Sequence, residues 1–524
     1  MSIYTFTTDA LSRAIAIFSP RKAIEYQRAH QILNAMREYD AAKLTGHNQN
    51  WRPTMKSGDA EARLGAQEIR NRVKSLERNN AYVAGAIKRL VANVVGEGNF
   101  PQSKVRLPDG KGIDKITADK IEQAFMQWSE DCCLNGDGLV DAQILNARHK
   151  VIDGQSFCID SQSNRDMKIQ IIESDQLATS VDGPMNNGKN FAVRGIEIDI
   201  YGKPVNYHFY DVHPGDNVRF TTKIQTVPAD RVLHVFDRNR ASSSMGISHF
   251  ASVVMNLFDI GELSDSTMIL ARLAAAYGIF IKTKMPDEYM NGPDTGVDTG
   301  SIVTNKRYKY VEPGGIHYLA DGEEPACMKP DQPGPIYEAF MRTNLRAISV
   351  GVGQSYSALS GDYSQGNFSS ERQAMILERQ LFRMEAANND RKFNNKLFWK
   401  WLDWAVLRGK VDLFDYEKNI SNYRRVKFSR PRQEYINPVQ DVQALSEALN
   451  LGIISRTEAI EDRGQDRDDV FNSCADDKKT MKELDIWQDD ASVQTFAQAE
   501  KKPITEENPK QIPEKTGEEN AANK

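Results

Sequence analysis

The sequence predicts an α+β protein in which long helices flank a β-rich middle. Three observations carry that expectation. Helical periodicity dominates residues 58–98, 246–275 and 370–410. Between residues 151 and 236 it gives way to short β-rich runs, GQSFCID, KIQIIESD, FAVRGIEIDI, KPVNYHFYDV and RVLHVFD, bounded mostly by Gly, Asn, Asp or Pro. Residues 334–410 then read as a short helix, a Gly/Ser/Tyr loop and a much longer helix.

Taken in chain order, residues 1–57 are helix-rich, with AIEYQRAHQILNAMREYDAAK the clearest pattern, and predict a surface arm. Residues 58–98 continue in helix and stop at Gly96-Glu97-Gly98, a glycine pair lacking the third glycine of a dinucleotide site. Arg70, Arg72, Lys74, Arg78, Lys88 and Arg89 make this stretch basic, and the interleaved Glu68 and Glu77 predict a solvated face. Ile116–Asp131 and LVDAQILNARHK from Leu139 are helical patterns, and the mostly antiparallel β region of 151–236 follows.

Within that region Gly183 to Lys189 matches the glycine and lysine spacing of a phosphate-binding loop. Asn190 stands where Ser or Thr would hold magnesium, Pro184 removes a backbone donor, and the next residues are β-forming where a helix start is required. A hairpin turn is the expectation. Gly246–Leu273 reads as a long helix with Phe250, Val253, Val254 and Leu257 on one face. Its small residues Ser264, Ala271 and Ala275 suit close helix packing.

Residues 276–333 hold a Gly/Asp/Pro-rich insertion between β-like runs, and KPDQPGP leads into the next helix. The loop 353–369 has few aliphatics, only Ala358 and Leu359, and so predicts neither strand nor core helix. In the helix after it, Ser370 and Gln373 have capping-box spacing. Ala374, Leu377, Leu381 and Met384 recur at helical spacing, and Glu371, Glu378 and Glu385 repeat every seven residues. Beyond Lys410 come β-like VDLFDY and YRRVKFSRP, then a helical pair within 438–475, with Ser455 and Glu458 again at capping-box spacing. From about Asp476 complexity drops, and a tail so poor in apolar residues predicts disorder.

The composition excludes several classes. The longest weakly interrupted apolar stretch, Leu270–Ile281, falls far short of the ~20 residues of a membrane helix. The amino terminus predicts no signal peptide. The five cysteines show no CxxC or CxxH spacing and read as small buried hydrophobes. The eight histidines form no HExxH or HxH cluster; His208 and His213 bracket Asp211 at a spacing that sets them on opposite strand faces, which favours structural roles. No GxSxG elbow occurs. A net charge of −5 argues against a sequence-reading DNA binder, yet is compatible with a conduit that must not grip phosphates. No cofactor, metal or catalytic residue is expected.

Several stretches in one order carry a resemblance to a known family. They are RNNAYVAGAIKRLVANVVGEG (78–98), IIESDQL (171–177), VRGIEIDIYGKPVNYHFYDVHPGD (193–216), VPADRVLHVFDRNRASSSMGIS (227–248), VEPGGIHYLADGEE (311–324), GDYSQGNFSSER (361–372) and GIISRTEAIEDRGQD (452–466). Over roughly residues 60–470 the chain resembles the portal (head–tail connector) proteins of tailed bacteriophages, the lambda-type family. One departure is Ala241–Ser244, where the family usually has an Arg/Gly-rich turn.

The resemblance implies a portal-type subunit: an N-terminal helical arm (1–57), a mixed α/β wing (58–245), a first stem helix (246–275), a small clip (276–333) and a second stem helix (334–352). A tunnel loop (353–369), a long wing helix (370–410), a C-terminal wing or crown region (411–475) and a disordered tail (476–524) complete it. It also implies a homo-oligomer, usually a ring of twelve, at the capsid vertex of the virion, assembled in the host cytoplasm. Double-stranded viral DNA would pass through without sequence reading. Further implied partners are the terminase large subunit, a head–tail adaptor, and the major capsid and scaffold proteins; no membrane is involved. The loop would form the channel's narrowest point, with Gln354, Tyr356, Ser357, Asp362, Tyr363 and Gln365 making weak contacts with DNA, and Gly353, Gly361 and Gly366 letting it move. The alternative is an enzyme of phage DNA metabolism, a nuclease or packaging ATPase, which would need a nucleotide loop or a metal-binding carboxylate cluster.

Overall fold

The computed structural model describes residues 19–35, 53, 55–108, 112–162, 166–216, 223–275, 279–283, 323–327, 335–364, 366–431, 434–484 and 486. It is a mixed fold, 56% helical and 14% strand, as the α+β expectation required. Two compact units divide the chain: residues 1–65 with 238–244, and residues 66–237 with 245–524. In the small unit, the Gly58 N–H donates to Ser242 Oγ at 2.9 Å, and Asp59 accepts from the Ser244 N–H at 2.7 Å. Arg240 pairs with Glu61 at 2.7 Å.

The elements run α1 (Pro20–Ala35), α2 (Gly58–Asn79), α3 (Ala81–Val94), β1 (Pro101–Ser103), α4 (Lys115–Ser129) and α5 (Leu139–Asp153). Asn80 divides α2 from α3 because its side chain accepts from the Tyr82 and Val83 N–H groups, a cap that restarts the helix. Gly96 (φ 58°) and Gly98 (φ 115°) end α3 in conformations that side chains resist, so the expected helix stop is found there.

The β region follows as β2 (Gln155–Gln162), β3 (Met167–Ile172), β4 (Gly183–Met185), β5 (Asn190–Val193), β6 (Ile196–Ile198), β7 (Pro204–Tyr210), β8 (Ile224–Pro228) and β9 (Val232–Phe236). It forms two antiparallel sheets, one of order β3-β2-β9 and one of order β4-β5-β6-β7-β8. The phosphate-loop look-alike is the β4–β5 hairpin, with Pro184 opposite Phe191 and Met185 opposite Asn190. No helix follows it to receive a phosphate, so the hairpin reading holds.

The second half contains α6 (Val254–Ala275), β10 (Ile279–Thr283), β11 (Glu323–Cys327), α7 (Pro335–Val352), α8 (Tyr356–Ser360) and α9 (Phe368–Asn389). A π-helical turn, Asp390–Asn394, joins α9 without a break to α10 (Asn395–Leu407). Then come α11 (Ile420–Tyr423), β12 (Val426–Phe428), α12 (Pro438–Asn450), α13 (Arg456–Glu461) and α14 (Arg467–Glu483). β12 pairs with β1, drawing the carboxy-terminal part onto the first half of the chain.

Five expectations are corrected. The helix expected from Gly246 starts at Val254, because His249 to Val253 form turns; the apolar residues Phe250 and Val253 are nonetheless buried. The cap before α9 is Asn367, with Ser370 in the third position of a reciprocal capping box, so the helix begins three residues early. VDLFDY is not a strand; Val411 and Leu413 insert into the core from a turn instead. Beyond Lys410 the helices extend past the expected pair, and α14 runs to Glu483, beyond the expected start of the tail. Of the cysteines, Cys132, Cys133 and Cys158 are buried as expected, whereas Cys474 is exposed. Most of the segment expected to form a clip (276–333) and of the expected tail, from 487 onward, lie outside the described residues.

Two apolar clusters hold the larger unit. One joins α4, α5, β2, β3, β9 and α10 around Phe125, Phe398 and Trp401; the Phe125 and Trp401 rings meet edge-on at 4.9 Å. The other joins α2, α3, α6, α7 and α8 around Ile87, Phe250, Leu257, Ile348 and Leu359. Between α5 and the π turn lies a buried amide layer. Gln143 donates to Asn99 O at 2.8 Å and Asn394 Oδ1 at 3.1 Å, and Asn146 donates to Asn389 Oδ1 at 2.9 Å. These bonds meet part of the layer's polar demand, while Asn146 Oδ1 and Asn389 Nδ2 are buried with no partner among the described residues.

Candidate functional site

The segment between α7 and α9 is the site the sequence singled out, and its fold follows from local chemistry. Gly353 (φ 72°) turns the chain sharply out of α7. Ser355 then caps α8, its Oγ accepting from the Ala358 N–H at 3.3 Å, and Gly361 (φ 72°) closes the turn. The loop therefore contains a helix that composition did not predict. Leu359 explains it: its side chain is buried in the second cluster, which anchors one turn of helix where isolated propensity would not.

The six expected side chains divide sharply. Gln354 is buried, only 5% exposed; its Nε2 donates to Ala86 O at 2.9 Å, and its Oε1 accepts from Arg89 at 3.4 Å. Ser357 is buried too, its Oγ donating to Glu371 at 2.6 Å. The Tyr356 hydroxyl donates to Asp362 at 2.8 Å, and Arg346 lies 5.4 Å from the Tyr356 ring centre. Asp362 also accepts from the Ser364 N–H at 3.0 Å and hydroxyl at 2.6 Å. These donors favour its ionised form and pull its carboxyl down to about 2. Tyr363 is 63% exposed. Gln365 lies outside the described residues. The structure thus ties Gln354, Ser357 and the Tyr356–Asp362 pair into three separate sets of intramolecular hydrogen bonds and leaves the Tyr363 side chain largely exposed.

The partners that sequence reasoning missed are Arg89, Glu371 and Glu378. The seven-residue glutamate repeat was visible, but nothing local tied it to the loop. Glu378 faces the Ser355 N–H and Oγ, each at 3.4 Å, and burial pushes its carboxyl above the usual range.

Elsewhere the chemistry is structural. Arg70 and Lys74 are not on a solvated face: Arg70 is 4% exposed and pairs with Asp175 at 2.8 Å. Lys74 reaches Asp175 at 2.7 Å and Glu173 at 2.9 Å. Glu173, Asp175 and His213 are the one group among the described residues close enough to hold a metal ion, but the Lys74 ammonium already occupies the position a cation would take. His208 is buried against Thr226 at 3.0 Å, while His213 joins the other cluster, so the two do not converge. A cleft of about 590 Å³ beside α4 and α14 is lined by Asp119, Glu122, Asp466, Asp468 and Asp469. Within it, burial pushes the Glu122 carboxyl up to about 7, Asp466 and Asp119 add to the effect, and the Ser103 N–H opposes it. No described helix is long and apolar enough to cross a membrane.

Residues 45–386 match the family described as phage portal protein, lambda family. The "Probable portal protein" of Halomonas phage phiHAP-1 is 26% identical over 482 residues, covering 88% of this chain and 90% of that protein. "Portal protein B" of Escherichia phage lambda is 22% identical over 479 residues, covering 84% and 89% respectively. Among solved structures, the neck of a native gene transfer agent particle, computed with C12 symmetry, includes a similar chain. It is 13% identical with a TM-score of 0.41, covering 74% of this chain and 91% of that one.

Proposed function

The chain belongs to the lambda family of phage portal proteins, and from that premise we propose that it is the subunit of the ring at the unique capsid vertex. The ring, of twelve copies, is the conduit for packaging and ejection of double-stranded viral DNA. It also docks the terminase large subunit during packaging and head–tail adaptors afterwards. In this reading α6 and α7 are the stem helices, residues 276–333 the clip, and residues 58–245 with α9 and α10 the wing. Residues 353–369 face the channel, with Tyr363 the side chain best placed to touch DNA.

The observation that carries the reading is the family match across residues 45–386. The arrangement of the segment supports it: two helices deliver a short, polar turn that contains no Lys or Arg from Gln354 to Asn367. Contacts of that kind let DNA slide, because each neutralised phosphate would add affinity and friction. The motor chemistry then belongs to the terminase. The nuclease or ATPase alternative loses its one nucleotide-loop candidate to the β4–β5 hairpin.

Negative-stain imaging and light scattering of the purified protein test this directly. Rings with a central hole and no ATP turnover are expected. A monomer that hydrolyses ATP or cuts DNA on its own would overturn the proposal.

A further inference from the structure

Glu371, Glu378 and Glu385 lie two helical turns apart and so share one edge of α9. Each takes a different partner along that edge. Glu371 accepts from Ser357 Oγ at 2.6 Å, Glu378 faces the Ser355 N–H and Oγ at 3.4 Å, and Glu385 pairs with Lys150 of α5 at 2.5 Å. The segment is gripped from its other side by α3. There Arg89 donates to Ala358 O and Gln354 Oε1, while Ala86 O accepts from Gln354 Nε2. Residues 354–360 are therefore held by side chains from two helices, one of them more than 250 positions earlier in the chain.

We infer that Arg89, Glu371 and Glu378 are positioning residues that latch residues 354–360 against the body of the subunit and thereby set how far the following turn, with Tyr363, projects. The inference rests on the reading that this segment faces the DNA channel. In the latched arrangement Gln354 and Ser357 are consumed by intramolecular bonds and are closed to DNA. The glycines at 353 and 361 act as fixed corners here, since both sit at positive φ with their neighbours hydrogen-bonded. The loop's reach is then a property of α3 and α9, and side chains that never touch DNA control the width of the passage. Glu378 is half-buried and close enough to Arg89 for the two charges to attract, which places it within the same contact.

Hydrogen exchange on the full-length protein tests the latch without any DNA. Arg89→Ala and Glu371→Ala should each raise exchange of amides in 354–361 about tenfold, as loss of a hydrogen bond of ordinary strength does. Arg89→Lys keeps a donor for Ala358 O and should restore most of the protection, which a general packing defect would not allow. Exchange in α10 should stay at the wild-type rate. Unchanged exchange in both alanine variants, or a rise spread equally through α10, would overturn the inference. Packaging assays separate it from the function it rests on. Altered DNA retention in the Arg89→Ala ring, rescued by Arg89→Lys, ties the latch to the channel. Normal retention alongside raised loop exchange leaves the latch standing and removes the channel-facing reading.

Discussion

Replacing Glu122 by Gln should stabilise this protein at neutral pH and leave it unchanged in mild acid. Glu122 sits on α4 with its Oε1 accepting from the Ser103 N–H at 2.5 Å, across from Asp466 and Asp469 of α14. Burial first, then the neighbouring carboxylates, raises its carboxyl from 4.5 to about 7. A carboxyl whose folded pKa is raised works against the fold once ionised. The penalty is full above pH 7, shrinks as pH falls toward 4.5, and is absent below that. The gap corresponds to about 3 kcal/mol as an upper bound, since the side chain is only partly buried. Glutamine keeps an acceptor for Ser103 and removes the charge.

Thermal unfolding at pH 8 and pH 5, with the oligomeric state matched by light scattering, measures the effect. A gain of up to roughly 3 °C at pH 8 that shrinks to under about 1 °C at pH 5 is expected. An equal gain at both pH values would mean that packing, and not ionisation, separates the variants. No gain at pH 8 would refute the electrostatic strain at this cleft.

Other consequences follow from the same geometry. Lys150→Ala should cost roughly 2–3 kcal/mol, because it leaves Glu385 without its cation while Asp237 keeps Lys392; denaturant titration reads this out. Trp401→Ala should cost about 3–5 kcal/mol by emptying the centre of the first cluster, seen as a lowered denaturation midpoint. Tyr363→Lys should preserve ring assembly and slow packaging or increase DNA retention in the channel; Tyr356→Lys is a poorer probe, because Tyr356 also holds Asp362. Removal of residues 487–524 should leave ring size by light scattering unchanged, since that sequence carries little apolar surface for an interface.

How much was legible in the sequence depends on the range of the interaction. Caps, stops and turns were readable because their chemistry lies within four residues. Ser455 caps α13, Gly96 ends α3, and Pro184 with Asn190 betray a hairpin. Helical periodicity and the β-rich middle likewise gave the α+β class, because burial of one face imposes a period on the chain. The family followed from many such stretches in one order.

What only the tertiary structure decided is where the polar side chains go. Arg70 and Lys74 look solvated beside Glu68 and Glu77, but the carboxylates that bury them, Glu173 and Asp175, lie about a hundred residues away. Gln354 and Ser357 look like loop residues open to DNA, until Ala86, Arg89 and Glu371 claim their hydrogen bonds. The helix α8 exists because Leu359 finds a core built by α2, α3, α6 and α7. A polar group's preference is set by whichever partner the fold delivers to it once water is excluded, and no local window of sequence contains that partner.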